Sequence, residues 1–215
     1  MRILHVEHPD GGGPGVFADV APLETWRAWA DPPPEGDVDA LVVYGGSHDV
    51  ADADREPWMR SELAWLRERL DAGVPALGLC LGGQLLAAAL GAPVVRSSPP
   101  EIGWFDVDLT AEGRQDPVLG AMGHRFTALQ WHSWTFGVPE GGTLLATSTA
   151  CPQAFRRGDV WGLQFHPEVD RPTLERWNST WEDDPDAPGP VPLDPLDAWS
   201  ARGRRLFSAF LAAIG

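Results

Sequence analysis

Residues 78–84 place a cysteine where it can act as a nucleophile. Cys80 lies between a short apolar run and a helix-forming run, with Gly78 two residues before it and Gly82 two residues after it. A sharp strand-to-helix turn needs such small neighbours, because a Cβ there would collide with the bent backbone. The turn would put the thiol at a helix N-terminus, which favours the thiolate. We therefore interpret Cys80 as a nucleophile; the alternative is a buried structural cysteine.

Residues 164–168 offer a base for this nucleophile and a group that orients the base. His166 and Glu168 are two residues apart, so in an extended segment their side chains project to the same side. Glu168 would hold the imidazole in one tautomer and stabilise its charged form. Pro167 stiffens the segment between them. The alternatives are a packed histidine at a strand end and a solvated carboxylate.

Two backbone segments are candidates for an oxyanion hole. Leu81 directly follows the nucleophile, and its N–H group is the first expected donor. Gly45 and Gly46 follow an apolar run and would lie at the carboxyl end of a neighbouring strand, where ligands bind in open α/β sheets. Glycine allows this backbone to approach a bound carbonyl closely.

Apolar runs that alternate with helical patterns predict the elements that position these residues. Strands are expected at residues 40–44, 74–79 and 160–165, and helices at 58–72, where Gly73 ends the pattern, and at 81–90. Further strands are expected at 2–7, 104–109, 125–131 and 143–148, whereas 17–30 fits a helix or a strand. The pattern predicts an α/β fold with an open, mainly parallel sheet flanked by helices. We expect one domain over residues 1–215, with a Pro- and Asp-rich loop at about 182–195 and a closing amphipathic helix at about 198–214.

Charge and composition exclude several classes of function. The chain of 215 residues has 31 acidic and 16 basic side chains, and its formal net charge is −15. A nucleic-acid or anionic membrane partner would need a basic surface, so neither is expected. Lysine is absent, which excludes Schiff-base chemistry and a P-loop lysine.

The cysteine and histidine content bears on compartment and metal binding. Two cysteines cannot form a disulfide scaffold, and neither a signal peptide nor a membrane span is expected, so we predict a cytoplasmic protein. No compact set of His, Cys and carboxylate ligands is visible, so neither a metal nor another cofactor is expected. Cys151 has no flanking glycines and is interpreted as a packing residue.

The paired motifs resemble the class I (triad) glutamine amidotransferase family, in particular the stand-alone group similar to the amidotransferase half of GMP synthase. The resemblance covers roughly residues 40–168 and the final helix. Its motifs are Gly-x-Cys-x-Gly-x-Gln at 78–84 and Gln-Phe-His-Pro-Glu at 164–168. Smaller matches are Gly45-Gly46, Glu101-Ile102-Gly103-Trp104, Gln130-Trp131-His132-Ser133 and Gln153-Ala154-Phe155. It implies a flavodoxin-like fold with a nucleophile elbow.

The resemblance also implies a role for each matching position. Cys80 would attack the side-chain amide of glutamine and form a γ-glutamyl thioester, with His166 moving the proton and Glu168 orienting His166. The remaining positions would be an oxyanion hole at Gly46 and Leu81, and substrate contacts at Gln84, Ser133 and Trp134. Family members usually have proline after the oxyanion glycines, whereas this chain has Ser47 and His48.

Three functions remain open from the sequence. The first is a glutaminase that passes ammonia to an acceptor synthetase in trans. The second is a stand-alone hydrolase that acts on γ-glutamyl peptides or conjugates. The third is a non-catalytic binding module that retains the fold. The loop at 182–195, with Trp177, Trp181 and Trp199 around it, is interpreted as a solvated connection packed by tryptophans, with a lid or docking surface as the alternative.

Overall fold

The computed structural model describes residues 1–180, 182 and 184–215, and the nine strands within these residues form one sheet. The strands are β1 (Ile3–Glu7), β2 (Glu24–Arg27), β3 (Ala40–Val43), β4 (Ala76–Leu79), β5 (Val94–Leu109), β6 (Arg125–Phe136), β7 (Thr143–Thr147), β8 (Pro152–Arg157) and β9 (Val160–Leu163). The helices are α1 (Pro57–Asp71), α2 (Leu81–Ala89), α3 (Arg171–Ser179) and α4 (Leu196–Ile214), with short 3-10 helices at Gly15–Asp19, Val50–Asp54 and Gly120–Met122. The strand order is β2-β1-β3-β4-β9-β8-β7-β5-β6.

The half of the sheet from β2 to β9 is parallel. β3, β4 and β9 are apolar and fully buried, as expected of strands covered on both faces. The register pairs Val43 with Gly78, and Gly78 with Gly162. The carboxyl ends of these three strands therefore meet at one edge of the sheet, where the loops that carry Gly46, Cys80 and His166 begin.

The other half of the sheet is antiparallel. β8 pairs with β9 and β7, and β5 pairs with β7 and β6. The ladder between β5 and β6 is irregular between Arg96 and Glu101, on either side of Pro99 and Pro100. The predicted α/β fold with helices on both faces is confirmed, and the sheet is mixed rather than mainly parallel in its pairings.

The two faces of the sheet pack against different helices. In β3, Leu41 and Val43 belong to the core beneath α1 and α2, whereas Ala40 and Val42 belong to the core beneath α4. This follows from the alternation of side chains along a strand. In the described part of the chain, no helix combines the length and apolar character that crossing a bilayer requires.

Most of the predicted elements are present with small shifts. α1 and α2 lie within one residue of the expected bounds, and Gly73 ends α1 with a φ of 81°. The segment 17–30 resolves into the end of a 3-10 helix and the edge strand β2. β8 and α3 were not predicted. β5 and β6 are longer than expected, because each includes the polar stretches that lie beside the site.

Candidate active site

Cys80 forms the turn between β4 and α2, at the carboxyl edge of the parallel strands. Its backbone angles are φ 52° and ψ −114°, a conformation that residues with a side chain rarely adopt. α2 begins at Leu81, so the N–H groups of its first turn have no acceptor within the helix. The sharp strand-to-helix turn predicted from the sequence is therefore present.

Gly78 and Gly82 allow the chain to close this turn. A Cβ at Gly78 would lie 2.5 Å from the carbonyl oxygen of Gly82, and a Cβ at Gly82 would overlap the carbonyl oxygen of Val43. Both obstacles are backbone atoms, which cannot rotate away as the end of a long side chain can. The steric reason inferred from the sequence thus holds at both positions.

We expect Gly82→Ala to lower the free energy of unfolding by about 3 kcal/mol, because the added methyl group displaces β3 from α2. Gly73→Ala is the matched control. Gly73 has a positive φ, but no atom lies within 4 Å of its added Cβ, so the expected loss is about 1 kcal/mol from backbone strain alone. Urea unfolding measures both losses. Equal losses would show that space at the turn is not what requires glycine.

His166 and Glu168 lie just beyond the end of β9 and are almost completely buried. Nδ1 of His166 donates a hydrogen bond to Oε1 of Glu168 at 2.8 Å. The backbone of His166 is held at two points: its N–H donates to the carbonyl of Leu129 at 3.0 Å, and its carbonyl accepts from the indole of Trp199 at 2.7 Å. The contact expected between the imidazole and the carboxylate is present, and Nε2 is left facing away from Glu168.

The charge on His166 follows from its neighbours. Burial would lower the pKa of His166, but the charges of Glu168 and Cys80 outweigh burial and raise this pKa to about 10. The ring is therefore protonated at neutral pH. Its Nε2 atom has no hydrogen-bond partner among the described residues, and Sγ of Cys80 lies 3.6 Å from the carbonyl oxygen of Trp131.

Gly45 lies between the cysteine and the histidine. A Cβ at Gly45 would be 3.0 Å from Cε1 of His166 and 3.5 Å from Cβ of Cys80. The two side chains therefore flank one small space at the edge of the sheet, which a larger residue at position 45 would fill.

The loop that carries Gly46 is fastened by Ser47, which stands where a proline is usual. The N–H of Ser47 donates to the carbonyl of Pro9 at 3.2 Å, and its hydroxyl donates to Asp10 at 3.1 Å. A Cβ at Gly46 would be 3.3 Å from the side chain of Leu81. The two expected oxyanion positions are therefore neighbours, and hydrogen bonds to the loop after β1 replace the stiffness of a proline ring.

These residues line a cavity of about 690 Å³, a volume in the range of pockets for drug-sized ligands. Gln84, Ser133 and Trp134, the three predicted substrate contacts, all line it, as do Gly46, Cys80, Leu81 and His166. The side-chain nitrogen of Gln84 donates to the carbonyl of Trp134 at 2.9 Å, which ties α2 to β6 across the cavity floor.

The segment after α3 covers part of this cavity, contrary to our interpretation of 182–195 as a solvated connection. Asp184 accepts a hydrogen bond from the indole of Trp131 at 2.9 Å. Asp186 accepts one from Ser133 at 2.5 Å and forms an ion pair with Arg96 at 2.6 Å. The two carboxylates of this segment thus bind side chains of β5 and β6, and the segment lies over the cavity. Trp181 and Asp183, which our sequence interpretation included, lie outside the described residues.

A second correction concerns metal-ligand residues. Contrary to the sequence expectation, Glu101, His132 and Cys151 place their ligand atoms within 4.8 Å of one another, all buried. Three different strands or strand ends bring them together, so sequence spacing could not reveal the set. One carboxylate oxygen of Glu101, Oε2, accepts two hydrogen bonds, from Gln153 at 2.7 Å and from Ser148 at 3.0 Å. We interpret the cluster as a hydrogen-bonded network on Glu101 that includes Cys151, with Nε2 of His132 3.3 Å from the same carboxylate oxygen.

We expect iodoacetamide at pH 7 to modify Cys80 at least about tenfold faster than Cys151. Cys80 lines the cavity, whereas burial, followed by the nearby charge of Glu101, raises the pKa of Cys151 and keeps it a thiol. Mass spectrometry of tryptic peptides measures both rates, and labelling in about 8 M urea is the control in which both thiols react. Faster labelling of Cys151 in the folded protein would contradict this picture.

Neither α3 nor the role of its tryptophan was predicted from the sequence. The ring of Trp177 packs edge-on against the rings of His166 and Trp131, with centroid distances of 4.9 Å and 5.4 Å, and it lines the cavity. A signal for this helix was present: the side chain of Asp170 accepts from the N–H of Thr173 as an N-cap, and a proline occupies the first turn.

Comparison with known proteins agrees with the resemblance seen in the motifs. The model of the family described as Glutamine amidotransferase class-I matches residues 16–176. The glutamine amidotransferase-like protein YfeJ of Salmonella typhimurium is 35% identical over 181 residues, which are 78% of this chain and 76% of YfeJ. One subunit of the glutamine-hydrolysing GMP synthase of Natronomonas pharaonis is 32% identical over 172 residues, which are 78% of this chain and 83% of that relative.

Solved structures agree as well. The crystal structure of a glutamine amidotransferase from Methylobacillus flagellatus superposes with a TM-score of 0.84 and 28% sequence identity. The superposition covers 98% of this chain and 94% of that chain.

Proposed function

The chain belongs to the glutamine amidotransferase class-I family, and from that premise we propose that it hydrolyses the side-chain amide of glutamine through a thioester on Cys80. The observation that carries this proposal is the meeting of a strained elbow cysteine and a carboxylate-bound histidine at the rim of one cavity. A buried structural cysteine would need neither the strain nor the histidine.

The proposed reaction has two steps. The sulfur of Cys80 attacks the amide carbon, the carbon–nitrogen bond breaks, and His166 donates a proton so that the nitrogen leaves as ammonia. His166 then takes a proton from water, which attacks the thioester carbon, and glutamate leaves as the sulfur is restored. Glu168 keeps the imidazole oriented and stabilises its charged form. The N–H groups of Gly46 and Leu81 stabilise the oxyanion in both steps.

The cavity floor would hold the rest of the substrate. Gln84 is fixed through its nitrogen to Trp134, which leaves its amide oxygen as the atom for a ligand. The backbone around Ser133 and Trp134 would meet the α-amino and α-carboxylate groups. Because Asp186 accepts a hydrogen bond from Ser133, the covering segment (residues 184–186) would close over this end of the substrate.

We also propose that the ammonia is used by a synthetase acting in trans. Relatives whose names designate a single subunit of the glutamine-hydrolysing GMP synthase support this, because such a name implies a second subunit, which would accept the ammonia. Both cysteines are free thiols, which supports the cytoplasm as the compartment.

A stand-alone γ-glutamyl hydrolase is the second candidate. The size of the cavity supports it, because about 690 Å³ leaves room beyond the scissile amide for the remainder of a γ-glutamyl peptide or conjugate. The chemistry at Cys80 would be the same, with an amine leaving in place of ammonia.

One experiment separates these functions. The purified protein is incubated with glutamine and, separately, with a panel of γ-glutamyl dipeptides, and glutamate release is measured with Cys80→Ala as the control. Hydrolysis of glutamine supports the glutaminase, and a large preference for a dipeptide supports the hydrolase. Turnover of glutamine only after a candidate acceptor synthetase is added would support a gated glutaminase subunit. Binding of glutamine with no turnover of any substrate even then, and no covalent adduct on Cys80 by mass spectrometry, would reject both in favour of a binding module.

A further inference from the structure

A buried histidine–carboxylate pair lies behind the oxyanion loop, on the side away from Cys80. His8 follows β1, Glu62 belongs to α1, and both side chains are fully enclosed. Nε2 of His8 lies 2.9 Å from one oxygen of Glu62 and 3.1 Å from the other. None of the reaction steps proposed above uses either residue.

Hydrogen-bond roles define the state of this pair. Nδ1 of His8 lies 3.0 Å from the carbonyl oxygen of Tyr44, which can only accept, so Nδ1 donates. Burial opposes a charge on His8, but Glu62 and the carbonyls of Tyr44 and Gly45 outweigh burial and raise the pKa of His8. Each ring nitrogen thus faces a fixed partner, the side chain of Glu62 at Nε2 and the oxyanion loop at Nδ1.

Contacts with residues 8–11 set the orientation of the peptide between Gly45 and Gly46. A Cβ at Gly11 would overlap the carbonyl oxygen of Gly45, and a Cβ at Gly46 would lie 2.6 Å from Cβ of His8. The carbonyl of Gly45 therefore points toward the segment 8–11. In a trans peptide the N–H points opposite to the carbonyl, so the N–H of Gly46 points away from that segment. Cys80 and His166 lie on the other side of Gly45.

We propose that His8 and Glu62 are positioning residues, which fix the peptide between Gly45 and Gly46 so that its N–H is aimed at the oxyanion. This rests on the proposed function for the oxyanion role alone. The pair acts through the loop and touches no substrate. Together with the hydrogen bonds of Ser47, it supplies the rigidity that a proline after these glycines would give.

The test compares Glu62→Gln with Glu68→Gln, a matched change at an exposed position of the same helix. We expect Glu62→Gln to lower kcat by about tenfold to a hundredfold, since a lost oxyanion donor costs at most about a thousandfold. KM should change less than threefold. Glu68→Gln should behave as the parent does.

A pH profile distinguishes positioning from general destabilisation. The charged or titratable groups that face His8 are Glu62 from α1 and Glu7 from β1, and Trp58 adds an uncharged ring. Without Glu62, burial favours the neutral imidazole, so the ring loses its proton as pH rises through a lowered pKa. The ratio of variant kcat to parent kcat should therefore be larger at pH 5.5 than at pH 8. A ratio independent of pH would contradict the role of the charge.

A readout without substrate separates this proposal from the proposed function. In hydrogen–deuterium exchange, peptides that cover residues 40–50 should take up deuterium faster in Glu62→Gln, whereas peptides that cover 76–90 should not change. If Glu62→Gln does not fold, the double variant His8→Asn/Glu62→Gln, which removes both buried charges, replaces it; it should show the same loss of kcat and faster exchange. Parent-like kcat and exchange in a folded variant would overturn the inference, whereas a parent inactive on every substrate would reject only the proposed function.

Discussion

Cys80→Ala is expected to lower kcat for the hydrolysis of the preferred γ-glutamyl substrate by at least about 10⁴-fold. The rate that remains is the one that substrate binding and the oxyanion hole supply alone. The sulfur is the atom that the proposed reaction joins to the substrate, so no other described side chain in the cavity can take its place. Alanine keeps the Cβ that the turn already accommodates at φ 52°. The fold and the affinity for substrate should therefore change little.

Cys151→Ser is the matched control, because Cys151 is the other free thiol and lies in the network of Glu101 away from the elbow. This variant should retain most of the parent activity. Glutamate release gives kcat, and mass spectrometry after rapid acid quench should detect the γ-glutamyl adduct on the parent and on Cys151→Ser only. Activity in Cys80→Ala within tenfold of the parent would defeat the assignment of the nucleophile.

The elbow and the histidine pair were predictable because their causes are local. A turn without space for Cβ atoms selects glycine at positions 78 and 82, and an extended segment brings side chains two residues apart to one side. These constraints act within a few residues, so they are visible in the sequence. The meeting of the two motifs depends on β4 and β9 being neighbours, which the strand pairing shows.

The covering segment was misinterpreted because its partners are distant in sequence. Asp184 and Asp186 look solvated among prolines, yet their donors are Trp131, Ser133 and Arg96, from 53 to 90 residues away. The cluster of Glu101, His132 and Cys151 has the same cause. Composition describes a segment by itself, and it cannot indicate which strand will offer a donor.

Glu62 is a different case, because the sequence held a signal that was not used. Met59, Leu63 and Leu66 form the buried stripe of α1, and Glu62 falls within that stripe. A carboxylate on a buried helix face requires a partner. The spacing could have predicted that a partner exists, but only the structure identifies it as His8.

His166→Ala is expected to lower kcat/KM by about 10⁶-fold, and Glu168→Gln by about 10⁴-fold. The histidine moves a proton in both proposed steps, whereas Glu168 only orients and charges the ring. Glutamine keeps an oxygen that can accept from Nδ1, so the orientation survives in part. Glu175→Gln, at an exposed position of α3, is the control.

The pH dependence of Glu168→Gln gives the sharper test. In the parent, burial lowers the His166 pKa, but the charge of Glu168, with that of Cys80, raises it to about 10. Up to alkaline pH the ring therefore keeps the proton that the proposed reaction transfers to the leaving nitrogen. Removing the charge of Glu168 leaves burial less opposed, and the ring loses this proton at a lower pH. The alkaline fall of kcat/KM should therefore begin at a lower pH in Glu168→Gln than in the parent or Glu175→Gln. An unchanged alkaline limb, or a loss equal to that of His166→Ala, would mean that Glu168 acts in some way other than by charging and orienting the imidazole.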